Sequence, residues 1–232
     1  MFVVLIGPAA AGKTTLARRL VKNDILINLD AATPSHADVD IRKWVRVEEI
    51  QEKYGLGING ALLKSMEIIA GMEEWIPEDA ERIKFVDTPG QLEVFLYHDM
   101  GRRVVEKLAA RDVVTSLFLV DATEIMEVEN YLAMLAQNAM INLKLGVPSV
   151  TVINKIDAVE RERITRYFDM ENLLKMLKGG DALVSLASCL VDYVEYTSIY
   201  QRPILVSAKT GEGIDDLYSA IYEVHCSCGD LS

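Results

Sequence analysis

A chain of 232 residues, half of them hydrophobic, can bury a substantial core, and no linker-like stretch, internal repeat or low-complexity tract divides it. A formal net charge of −11 excludes extended binding to nucleic-acid phosphates, which takes clustered Lys and Arg, so the expected partners are small molecules and proteins. Three cysteines, Cys189, Cys226 and Cys228, make no disulfide framework and fit a reducing compartment.

The first predicted strand, Phe2 to Ile6, is wholly apolar and runs into Gly7-Pro8-Ala9-Ala10-Ala11-Gly12-Lys13-Thr14, followed by Thr15. This fits G-x-x-x-x-G-K-[ST], in which glycines at both ends let a loop curl until its backbone N–H groups point inward at a polyphosphate. Lys13 is placed to reach the β- and γ-phosphates, and the Thr14 hydroxyl to ligate Mg²⁺. Leu16, Ala17 and Leu20 then continue at helical spacing, predicting a helix over Lys13 to Val21. A strand starting at Phe2 leaves no room for a secretory leader, and a cytoplasmic location is expected.

A second strand, Ile25 to Leu29, ends in Asn28-Leu29-Asp30. Asp30 there is a candidate for holding an attacking water or a magnesium-bound water; a cap or loop aspartate is the competing reading. Helices are expected over Val47 to Lys53 and Ala61 to Trp75. The strand Arg82 to Val86 leads into Asp87-Thr88-Pro89-Gly90-Gln91. An acidic residue at that point, facing a phosphate loop, can hold Mg²⁺, and Gly90 can bring its backbone N–H near a γ-phosphate. Gln91 is a candidate water orienter, with a helix-start residue as the alternative.

A helix over Leu92 to Ala109 and a strand over Val113 to Val120 precede a helix over Ile125 to Leu143. The longest uncharged stretch, Asn130 to Leu143, falls short of the ~20 apolar residues of a membrane span. The strand Ser149 to Ile153 ends in Asn154-Lys155-Ile156-Asp157. A carboxylate at the base edge accepts from guanine N1–H and N2–H₂, whereas adenine would leave it partly unpaired, so guanine is the expected base. Val159 to Tyr200 reads as two helices without a strong strand, a helical insertion at about 159–200. The last strand, Ile204 to Val206, ends in Ser207-Ala208-Lys209, a turn whose backbone can meet guanine O6, and a helix over Ile214 to Val224 follows. His225-Cys226-Ser227-Cys228 lacks a complementary ligand pair for zinc.

Apolar strands alternating with helices predict an α/β fold of the P-loop NTPase kind: a doubly wound, mostly parallel sheet with helices on both faces, in one GTP-binding domain over 1–232. A P-loop kinase acting on a small acceptor is a competing reading, disfavoured because it needs no Asn-Lys-Ile-Asp base site and because no Arg-rich lid is visible.

Together these motifs resemble those of the GPN-loop GTPases, homodimeric P-loop enzymes of archaea and eukaryotes. The resemblance covers nearly the whole chain, including Asp40-Ile41-Arg42 and the terminal Cys226-Ser227-Cys228-Gly229-Asp230-Leu231. The family's Gly-Pro-Asn corresponds to Gly57-Ile58-Asn59, with isoleucine in place of proline, which predicts a more mobile loop. The resemblance implies a Mg²⁺-dependent GTPase producing GDP and phosphate, with Asn59 inserted into the partner subunit's site, where it helps bind phosphate or orient water. Lys13, Asp30, Asn59 and Gln91 are then the candidate catalytic residues. It also implies an assembly switch as the alternative role, since eukaryotic relatives are implicated in RNA polymerase assembly.

Overall fold

The computed structural model describes residues 1–96, 98–177, 180–197 and 203–229, without the side chains at 170–171, 194–197 and 227–229. Among the described residues seven strands form one sheet: β1 (Phe2–Ile6), β2 (Ile25–Asn28), β3 (Val39–Asp40), β4 (Lys84–Asp87), β5 (Val114–Asp121), β6 (Ser149–Asn154) and β7 (Ile204–Leu205). Their order is β3-β2-β4-β1-β5-β6-β7, and every pairing among them is parallel. The predicted sheet is therefore present, with parallel pairing throughout.

Both faces are covered, and successive residues of each strand serve opposite faces. Phe2, Val4 and Ile6 of β1 join one core with Val86, Phe118 and Ile153. Val3 and Leu5 join the other with Phe85, Leu117, Leu119 and Val152. On the second face lie α1 (Lys13–Leu20), through Leu16, Ala17 and Leu20, and the C-terminal helix, through Leu217, Ala220 and Ile221. The first face takes α2 (Val47–Tyr54), α3 (Ile58–Gly71), α4 (Leu92–Leu96), α5 (Asp99–Ala109) and α6 (Val128–Leu145). This division leaves the carboxyl ends of the strands clear of helix bodies, so the loops there can build a site.

Four sequence expectations are corrected. β3 carries only two residues, too few for any periodicity to announce, and exists because Val39 and Asp40 pair with Ile27 and Asn28. The single helix expected over Leu92 to Ala109 is two, because His98 is extended and caps α5. There the chain passes so close to α4 that a Cβ at Gly101 would lie 1.9 Å from the Phe95 carbonyl oxygen. The helix expected from Ala61 begins at Ile58, with Gly57 extended before it and the Ala61 N–H donating to the Gly57 carbonyl at 2.9 Å. A first turn tolerates poor helix formers, since its N–H groups need no intrahelical acceptor. The helix expected from Ile125 begins at Val128, after a 3₁₀ turn over Ala122–Ile125 capped by Asp121.

Within 159–197 lie α7 (Glu162–Thr165), α8 (Met170–Met176) and α9 (Asp181–Thr197), with no strand among the described residues. Leu173, Leu177, Ala187 and Val191 pack into the first core. The last helix is α10 (Ile214–Gly229). No helix among the described residues is long and apolar enough to cross a membrane.

Candidate nucleotide-binding site

The phosphate loop leaves β1 at Gly7, where any Cβ would lie 2.4 Å from the Leu119 carbonyl oxygen of the neighbouring strand. It re-enters a helix at Gly12, which is left-handed (φ +92°), as is Ala10 (φ +64°). A Cβ at Gly12 would lie 2.4 Å from the Asn154 amide nitrogen, so both glycines are demanded by close approach as well as by backbone freedom. Ala11 is buried, whereas Thr15 is exposed on the first turn of α1.

Lys13 is 6% exposed and donates to the carbonyls of Gly7 at 2.8 Å and Pro8 at 3.0 Å. Its ammonium thus folds back over the loop that is meant to hold phosphate. Burial pushes the Lys13 pKa down, opposed by the charges of Asp87 and Asp30. Asp87, at the end of β4, is 4% exposed and accepts from the Thr14 hydroxyl at 2.6 Å. Burial raises its pKa, against the Thr14 hydrogen bond and the Lys13 charge. The other carboxylate oxygen, Oδ1, is buried with no hydrogen-bond partner. A hydroxyl and a half-satisfied carboxylate side by side at a phosphate loop suit Mg²⁺, which takes one or two protein oxygens and completes its shell with substrate phosphates and water. No cluster of three or more His, Cys, Asp or Glu suited to a metal occurs among the described residues.

Asp30 closes an Asx turn, its Oδ1 accepting from the Ala32 N–H at 2.9 Å, and it lies near enough to act electrostatically on both Lys13 and Asp87. The buried amide of Asn28 organises this loop, donating to the carbonyls of Asp30 and Thr33 and to Asp40 Oδ1 at 3.1–3.2 Å. Thr88 Oγ1 donates to the Leu5 carbonyl at 2.7 Å, tying the end of β4 to β1. A Cβ at Gly90 would meet only Ala9, at 3.7 Å, so a demand for glycine there would come from a bound nucleotide and not from the protein. Gln91 and Asn59 are both exposed, and Gln91 Nε2 donates to Asn59 Oδ1 of the same chain at 3.5 Å.

Asn154 is 1% exposed and stitches two loops together: its amide donates to the Ala11 carbonyl at 2.9 Å, and its Oδ1 accepts from the Ala208 N–H at 3.0 Å. Asp157 accepts from Ser207 Oγ at 2.6 Å and lies 3.7 Å from Lys209 Nζ. The Ser207 bond chiefly holds its pKa below the usual carboxylate range, so Asp157 is ionised and acceptor-only near neutral pH. The Ser207-Ala208-Lys209 turn depends on Gly213 (φ +74°), where a Cβ would lie 1.9 Å from the Leu205 carbonyl oxygen.

The phosphate loop, the acidic end of β4 and the Asn154–Asp157 segment therefore converge at one end of the sheet. A family model described as conserved hypothetical ATP binding protein matches residues 5–227. A GPN-loop GTPase of Pyrococcus abyssi, PAB0955, is 33% identical over 252 residues, covering all of both chains. The chain belongs to the GPN-loop GTPase family. The crystal structure of PAB0955, a GTPase in apo form, superimposes with a TM-score of 0.78 at 28% identity, covering 98% of each chain. GPN-loop GTPase 1 of Dictyostelium discoideum is 27% identical over 94% of this chain but only 60% of its own length. The chain thus spans the full archaeal GPN-loop GTPase and under two thirds of that eukaryotic one.

Two neighbours of the site escaped the sequence reading. Arg19, in the last turn of α1, donates from Nε to the Ala208 carbonyl at 3.1 Å and from Nη2 to the Lys209 carbonyl at 2.6 Å. Asp121, at the end of β5, accepts from Lys155 Nζ at 2.6 Å. Neither lies in a signature spacing; only the tertiary fold brings each to its partner. Of the terminal cysteines, Cys226 is exposed, while the side chain of Cys228 and residues Asp230 and Leu231 lie outside the described residues.

Proposed function

We propose that the chain binds GTP with Mg²⁺ and hydrolyses it to GDP and phosphate, working as a homodimer. The observation that carries this reading is the anchoring of Asp157: an ionised carboxylate at the end of β6, fixed by Ser207 on a segment that Asn154 ties to the phosphate loop. The family model's description names ATP, whereas the relatives' names say GTPase. An acceptor-only group at the base edge favours guanine, which offers two donors there, over adenine.

On this reading Lys13 exchanges its loop carbonyls for β- and γ-phosphate oxygens, and the added negative charge offsets the cost of burying its ammonium. Thr14 and Asp87 would hold Mg²⁺, which would neutralise charge on the β- and γ-phosphate oxygens. Asp30 and Gln91 are the candidates for orienting the attacking water. Asn59 supplies an amide, in the partner subunit's site by family resemblance; its contact with Gln91 of the same chain favours a second reading, in which it serves its own site.

Titration calorimetry tests the base assignment. GTP should bind at least ~10²-fold more tightly than ATP, and Asp157→Asn should erase that preference while favouring xanthosine triphosphate, whose 2-oxo group needs a donor. Equal affinities for GTP and ATP in the unaltered protein would overturn it.

The alternative role, a switch for protein assembly, draws on the exposed Leu183, Val184 and Leu186 of α9, beside an apolar groove of about 180 Å³ against α6. RNA polymerase enters as a partner only through the resemblance of the sequence to its eukaryotic relatives. If this role holds, a hydrolysis-deficient variant should retain a partner that the active protein releases.

A further inference from the structure

We propose that Asp121 is a positioning residue for the base site: it holds Lys155 so that its side chain is in place before the nucleotide arrives. The inference rests on the reading of Asn154–Asp157 as the base site. The parallel ladder sets Asp121 directly beside Asn154, one residue ahead of Lys155. Lys155 is left-handed (φ +65°), a conformation that a residue with a Cβ rarely adopts. Side chains at 154, 155 and 157 are thereby sent to three different elements: Asn154 to the phosphate loop, Lys155 to the end of β5, and Asp157 to the turn after β7.

Asp121 is itself immobilised. Its side chain is 11% exposed. Oδ1 accepts from the Thr123 N–H at 2.9 Å and the Thr123 hydroxyl at 2.8 Å, leaving Oδ2 to take the Lys155 ammonium at 2.6 Å. A carboxylate with both oxygens engaged is a fixed anchor, whereas the Lys155 side chain, 38% exposed, would otherwise sample many rotamers. Anchoring the ammonium at Asp121 fixes the alkyl stem behind it, and on this proposal that stem is the apolar surface the purine meets. Rotamer entropy is then lost on folding and not on binding, which tightens every guanine nucleotide alike. Reading of the 2-amino group stays with Asp157.

The test is a double-mutant cycle read by calorimetric titration of GDP. Asp121→Asn keeps an acceptor for Thr123 and sets an amide donor against the ammonium; it should raise the Kd for GDP about tenfold. Lys155→Met keeps the apolar stem without the charge and should produce a similar rise, and adding Asp121→Asn to it should change nothing further. The ratio of GDP to inosine diphosphate affinity should stay at its wild-type value in Asp121→Asn. An undiminished effect of Asp121→Asn in the Lys155→Met background, or no effect of Asp121→Asn alone, overturns the inference. Should Asp121→Asn fail to fold, Thr123→Val loosens the same carboxylate without touching the ion pair; its smaller rise in Kd must likewise vanish with Lys155→Met. Loss of preference for GDP over ADP in the unaltered protein would instead sink the base-site reading itself.

Discussion

Lys13 and Asp87 are the two charges that the fold holds out of water at the phosphate loop, and each is shifted against its charged form, Lys13 downward and Asp87 upward, by burial. Because folding raises the Asp87 pKa, the folded state binds that proton more tightly than the unfolded chain does. Its contribution is favourable at acid pH and is lost as pH rises through the raised value. On the proposed function, charge is kept here for chemistry at the expense of stability. Asp87→Asn should therefore raise the melting temperature of the nucleotide-free protein near pH 7, with the difference shrinking towards pH 4, while GTP hydrolysis falls by ~10²-fold or more. Calorimetric melting across that pH range, with phosphate release measured alongside, decides it; a lower melting temperature at pH 7 would contradict the account.

At the scale of elements, the start of α3 has the most direct consequence. Gly57-Ile58-Asn59 reads in sequence as a loop loosened by the loss of proline, but Ile58 is the first residue of a helix and Gly57 before it is extended, with ψ 168°. Both are the conformations that proline and the residue preceding it prefer. Ile58 is 52% exposed, so little packing would be lost. Ile58→Pro should therefore stabilise the fold by about 0.4–1 kcal/mol, roughly 1–4 °C in melting temperature. A fall of several degrees in thermal melting would show that Ile58 does not start the helix as described. A hairpin or helix-start turn is the sequence's alternative reading of Gly57 to Gly60, and the helix is expected only from Ala61 because Ile58, Asn59 and Gly60 carry no helical periodicity; what decides the matter is the Gly57 carbonyl accepting from the Ala61 N–H.

For the whole molecule, the question is whether one chain completes its own site. Asn59 and Gln91 touch at the exposed mouth, and a 3.5 Å amide contact in water is weak enough to exchange for a partner's groups. Mixing Asn59→Ala with Lys13→Ala protein tests this. If Asn59 acts across a dimer, mixed dimers contain one site with both residues, and hydrolysis should recover to roughly a quarter of the wild-type rate, because half the pairs are mixed and each has one good site. If Asn59 acts in its own chain, or no dimer forms, the mixture stays as inactive as its components.

What the amino-acid order determined unaided was whatever depends on neighbours along the chain. Apolar runs such as Phe2 to Ile6, the helical spacing of Leu16, Ala17 and Leu20, and the two local spacings around Lys13 and Asp157 place the sheet and point to the ends of its strands. Only the tertiary structure decided contacts between distant segments: the two-residue β3, the break at His98, the Arg19 clamp on the Ala208 turn, and the pairing of Asp121 with Lys155. Each arises from parallel register or close approach, and those are set by how whole elements pack.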